Sequence, residues 1–154
     1  MDPSSDQGAR LLDELRRRRA ELRESMTEVE HALASPPEAS GVRWAERLRA
    51  ALVELADDFR DHVAITEGPD GLYRELEMHA PRLAGPVGRL SREHDLVSRQ
   101  LDELQRAVGG GSELEDVEGV RRTGTELLVV LMHHRQRGAD LVFEAYQVDV
   151  GGET

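Results

Sequence analysis

The stretch LAGPVGRLSREHDLVSRQLDELQRAV, residues 83–108, decides the fold. Leu83, Val87, Leu90, His94, Val97, Leu101, Leu104 and Val108 recur at alternating steps of four and three, which is one face of an α-helix and not a period a strand can use. Polar residues fill most of the positions between, so the segment must bury a single stripe against other elements of the same kind. Gly109-Gly110-Gly111-Ser112 ends it. Within the stripe His94 stands alone as a polar residue among aliphatic ones.

Working outward, three further segments carry the same period. Leu11, Leu15, Leu22, Met26, Val29 and Leu33 form a first stripe, with Arg18 in its gap, that stops at Ser35-Pro36-Pro37. Trp44, Leu48, Leu52, Leu55, Phe59 and His62 form a second, opened by Ser40 as N-cap and broken by Gly68-Pro69-Asp70-Gly71. A short amphipathic piece, Leu72 to His79, leads to Pro81 and the third stripe. The fourth is Val120, Gly124, Leu127, Leu131, His134, Gly138, Leu141 and Ala145, and Ser112 to Glu115 has the spacing of a capping box before it. Helices are therefore expected at residues 6–34, 41–67, 82–107 and 114–146. With short connections these make an all-α, antiparallel up-down four-helix bundle in one domain over 1–154, with 1–5 and 148–154 as flexible tails.

Composition narrows the chemistry. No cysteine is present, which excludes disulfides, thiolate metal sites and cysteine nucleophiles, so any metal must be held by nitrogen and oxygen. The net charge of −11, with all 20 basic residues arginine, argues against nucleic acid or an anionic membrane as partner. No apolar run reaches the roughly 20 residues of a membrane span, and the expected location is the cytoplasm. Phosphate loops and nucleophile elbows are absent.

His62, His94 and His134 thus fall on the apolar stripes of three different helices. Burying an imidazole without a partner costs roughly 1–3 kcal/mol. Each could be a core histidine bonded to a carboxylate, but three of them converging in a dry bundle interior have the arrangement of a metal site. Depth is a second criterion: by rise per residue, His134 lies about 18 Å before Tyr146 and His94 about 20 Å after Pro81, or about 12 Å if the helix straightens only after Gly85-Pro86. His62, about 8 Å from Glu67, is short of that level. His134 is the inward member of the His133-His134 pair by stripe register. His79 reads as a surface residue and Arg16 to Arg19 as a solvated face, with Arg18, on the stripe, either snorkelling or pairing with a core acid such as Asp140 or Glu144.

Residues 89–97, RLSREHDLV, resemble the "EH" helix of hemerythrin-like, HHE cation-binding domains. His62-Val63-Ala64-Ile65-Thr66-Glu67 with Gly71-Leu72-Tyr73 is similar to that family's histidine, acidic pair and "LF" segment. The stretch His133 to Asp140, with Glu144, resembles its last ligand helix. The resemblance implies a bundle holding non-haem iron, mono- or dinuclear, that binds or senses dioxygen, peroxide, nitric oxide or iron. It implies His62, Glu67, His94, His134 and Glu144 as ligands or supports, with His31, His133 and Asp140 as lesser candidates. This chain departs from the pattern in placing Thr66 four residues after His62, Leu90 and Ser98 four residues either side of His94, and Ala139 five after His134. For the first helix, Glu21 or Glu24 lies nearer the right depth than His31. Two other readings stand beside it. One is a metal-free interaction or sensor module, working through a protein partner or a second copy. The other is a DinB-like metal-dependent transferase bundle.

Overall fold

The computed structural model describes residues 3–110 and 116–148. Five α-helices appear: α1, Pro3–Ala34; α2, Val42–Glu67; α3, Leu72–His79; α4, Ala84–Val108; and α5, Val117–Phe143. A 3-10 turn, Pro81–Leu83, joins α3 to α4, and a π-helical turn, Glu144–Val148, extends α5. The four long helices pack in a ring, α1 on α2, α2 on α4, α4 on α5 and α5 on α1, the expected up-down bundle. Helix α1 begins at Pro3, three residues before the expected start at residue 6. The expected capping box of Ser112 and Glu115, residues 1–2 of the N-terminal tail and residues 149–154 of the C-terminal one lie outside the described residues.

Helix starts differ from expectation for local reasons. Pro86 does not break α4: it is the third residue of that helix, in the first turn, where its missing N–H would have no intrahelical partner. The start of α2 is capped less by Ser40 than by Glu38, whose carboxylate accepts from the backbone N–H of Arg43 at 3.1 Å and Trp44 at 3.4 Å. Gly41 precedes that helix at φ 72°, a left-handed conformation that glycine adopts without a Cβ penalty. The indole of Trp44 donates to Ser35 O at 2.9 Å and closes the α1–α2 connection. On α5, Asp116 accepts from Gly119 N at 2.8 Å as the N-cap.

The apolar interior is divided in two. A larger cluster fills the body of the bundle from Leu33, Trp44 and Val108 up to Leu22, Phe59, Val97 and Leu131. A smaller one gathers Leu15 of α1, Leu72, Tyr73 and Leu76 of α3, Leu90 of α4 and Leu141 of α5 at the far end. Each fully buried leucine contributes roughly 1.5–3 kcal/mol, so both clusters hold. Between Phe59 and Thr66, Leu90 and Val97, and Leu131 and Leu141 lies the layer that contains His62, His94 and His134, exposed by only 6%, 1% and 1%.

Candidate metal centre

Helix termini do not share a plane, which reconciles the depth of His62 with its partners. α2 stops at Glu67, five residues beyond His62, but the bundle continues: α3 turns across that end and packs on the first turns of α4. All three histidines then lie at one level. Nε2 of His62 is 3.2 Å from Nε2 of His134, and Nε2 of His94 is 3.1 Å from the same atom. The rings meet edge to face, at interplanar angles of 84°, 82° and 60°. Phe59 stacks on His62 from the larger cluster, and Tyr73 stacks on His94 from α3.

Outward-facing ring nitrogens define the tautomers. Nδ1 of His94 lies 2.8 Å from a carboxylate oxygen of Glu67, and Nδ1 of His134 lies 2.9 Å from one of Glu93. A carboxylate only accepts, so both Nδ1 atoms carry the proton and both Nε2 atoms present lone pairs to the centre. The hydroxyl of Tyr73, 3.2 Å from Nε2 of His94, and an Nε2–H on His62 can each satisfy one lone pair. Nothing remains to share between His94 and His134, whose two unprotonated nitrogens would face each other at 3.1 Å. A cation removes that repulsion. Bonds of about 2.1 Å to one ion place ligand nitrogens roughly 3.0–3.4 Å apart, the spacing that His134 keeps from both His62 and His94. The donor set therefore fits one first-row transition ion.

Charge at the site follows burial. Burial, then mutual repulsion, pushes His62 and His94 down to about 3, and burial lowers His134 against the pull of Glu93. The imidazoles are thus neutral and ready to ligate. Glu93 feels burial upward, but hydrogen bonds from Arg137 and His134 prevail and hold it below the usual carboxylate value. Burial raises the Tyr73 phenol well above its ordinary value, so it stays protonated. Nδ1 of His62 is buried with no partner, which leaves His62 as the member without an outer carboxylate.

The remaining sequence candidates are placed elsewhere. Glu67 reaches His94 as an outer acceptor, and its carboxylate does not join the converging nitrogens. Glu144 is half exposed and paired with Arg82 at 3.0 Å, outside the cluster. Asp140 accepts from Gln136 on the surface, and His133 and His31 are exposed. His79 is also exposed and stacks on Tyr146. Arg18 does not reach Asp140 or Glu144; it pairs with Glu14 and Asp61 because α2, not α5, lies on its side of α1. Glu21 stands with Asp58 and Asp61 on the surface, and Glu24 is exposed. What α1 brings toward the histidine layer is Arg19, half buried beside His62. Thr66, where the resemblance places an acid, turns its hydroxyl back to His62 O at 2.8 Å.

Glu93 and Tyr73 went unassigned in the sequence. A residue one step before an inward histidine is rotated about 100° from it, so Glu93 points along the α4–α5 seam toward His134. Such an acid–histidine doublet at a helix seam was the available signal. Beside the histidines lies a cavity of 20 Å³ walled by Leu15, Leu72, Leu76, Gly138 and Val142.

The model of the hemerythrin HHE cation-binding domain matches residues 10–146, and the chain belongs to that family. No curated protein and no solved structure gives a significant match. Among the described residues no helix is long and apolar enough to cross a membrane.

Proposed function

We propose that the chain holds a single non-haem iron ion on the Nε2 atoms of His62, His94 and His134, and that this centre binds or senses a small ligand such as dioxygen, nitric oxide or peroxide. The observation that carries the reading is the convergence of the Nε2 atoms of three neutral imidazoles, two of them fixed as lone pairs by carboxylates at Nδ1. Outer carboxylates of this kind orient ligating imidazoles and raise their basicity. The family supports iron as the metal, and the donor set supports one ion over two, since among the described residues no carboxylate stands with the converging nitrogens. The metal supplies Lewis acidity and a change of oxidation state. The protein supplies a dry site, fixed tautomers and the adjoining cavity, whose volume suits one water-sized molecule and excludes a bulky substrate.

Elemental analysis of untagged protein tests the reading. One iron per chain is expected, without oxo-bridge absorption bands. His134→Ala should remove the metal, whereas His133→Ala, at an exposed position one residue away, should leave it. Protein that carries no transition metal, and whose melting temperature ignores added iron, would favour the metal-free interaction module instead.

A further inference from the structure

The groove between α1 and α5 carries Arg16, Arg19, Arg23 and Arg135 around a space of 560 Å³. In a chain of net charge −11 this is an unusual concentration of one sign. Arg16 is tied to Asp13 at 3.4 Å, but among the described residues no ion pair engages Arg19, Arg23 or Arg135. Arg19 finds only the carbonyl of Arg135, at 3.5 Å, and Nε of Arg135 is buried with no acceptor. Glu24 and Glu28 border the same groove without pairing to any of the four. Guanidinium groups stay charged at any working pH, so the crowding is relieved by a counter-charge and not by proton loss.

The groove does not end at the arginines. From Arg23 and Arg135 it continues between the same two helices over Met26, Leu128, Val129 and Met132. Met132 is 54% exposed and Val129 42%, so this trough offers an open apolar bed, although Glu30, Arg121 and Thr125 also line it. A charged head at one end and an apolar bed at the other define a ligand class. We infer that the α1–α5 groove binds a phosphate-bearing small organic molecule, its phosphate on Arg19, Arg23 and Arg135 and its organic part along Met26 and Met132. Planar guanidinium forks match phosphate oxygens two at a time, which makes arginine suited to the head.

The groove is also linked to the histidines. Arg19 and Arg135 line both it and the small cavity at His62 and His134. Their uncompensated charge disfavours a cation nearby, and a bound phosphate offsets it. By linkage, phosphate and metal each tighten the other. This coupling rests on the triad holding a metal; the groove itself does not.

Calorimetric titration of the full chain without metal, using phenyl phosphate and inorganic phosphate, tests the site. Saturable one-to-one binding is expected, with phenyl phosphate several-fold the tighter. Arg23→Gln, on the surface, should weaken both about tenfold, the loss of one charge-assisted contact. Met132→Ser should abolish only the preference for the phenyl group. Binding that does not saturate, or that Arg23→Gln leaves unchanged, overturns the site. Zinc affinity measured with and without phenyl phosphate then tests the coupling: a several-fold gain in the parent chain, absent in Arg23→Gln, is expected. An unchanged zinc affinity overturns the coupling alone, and absence of zinc binding overturns the metal reading and the coupling with it, leaving the groove.

Discussion

Replacing Glu93 by Gln should weaken metal binding about tenfold without disturbing the fold. The side chain is 12% exposed and accepts the Nδ1–H of His134 at 2.9 Å while Arg137 holds its other oxygen. Glutamine keeps the shape, and its carbonyl still accepts from Nδ1, so the tautomer survives. What is lost is the negative charge that raises the basicity of His134. Outer-shell losses of this kind cost tenfold to a hundredfold in affinity, or about 1.4–2.7 kcal/mol. Glu93→Ala should approach the upper figure, since it also strands a buried N–H at a cost of about 1–3 kcal/mol in stability. Glu67 makes the same contact with His94 at 2.8 Å, but it is 33% exposed, so water replaces and screens it. Glu67→Gln should cost less than about threefold. Competition against a chromophoric chelator, with zinc or with ferrous iron under anaerobic conditions, measures all three variants. Parent-like affinity in Glu93→Gln, or a larger loss in Glu67→Gln than in Glu93→Gln, would refute the assignment of the outer carboxylates.

Three further outcomes are expected. In metal-free protein the folded-state values of about 3 for His62 and His94 lie below the ordinary 6.5, so the unfolded chain takes up protons first as pH falls. Stability should be level above about pH 6.5 and drop by roughly 1 kcal/mol per pH unit for each histidine below it, as urea melts between pH 7 and 5 would show; a level profile there contradicts burial of neutral imidazoles. Gly71→Ala would set a Cβ 2.7 Å from Thr66 O and 2.8 Å from Gly68 O, both backbone atoms. A loss of roughly 1–3 kcal/mol, or several degrees in the thermal midpoint, is expected, and an unchanged midpoint would show that the turn is looser than described. Gly138→Leu should leave metal content intact while slowing nitric oxide binding in stopped-flow traces, because that position borders the small cavity and no atom stands within 4 Å of a Cβ there.

Much of the fold was legible because the helical period is a local property. The four stripes and their breakers followed from spacing, as did the inward turn of His134 over His133. Features set by partners across the bundle were not. The reach of Glu93 to His134 depends on the rotation of α4 against α5, and the separation of Arg18 from Asp140 depends on which helix lies beside it. Glu38 caps α2 from within a loop, where no fixed spacing announces it. Glu144 was a candidate through the resemblance alone, yet α5 changes to a π-helical turn at that residue and the carboxylate goes to Arg82. The level of His62 could not be judged until α3 was seen to complete the end of the bundle.

That end is closed by eight residues, Leu72–His79, anchored mainly through Leu72, Tyr73 and Leu76. So short a helix has little stability of its own, and it is expected to open at lower cost than the bundle unfolds. Amide exchange across it therefore reports how often the histidine chamber is breached, a frequency distinct from the affinity of anything inside. On the proposed function, traffic and tenure fall to different parts of the chain: α3 would set how fast a guest arrives or escapes, and the long helices how firmly it is held. Substitutions confined to its exposed positions, Arg74 and Met78, should change the first while sparing the second, because Tyr73 of the same helix touches His94.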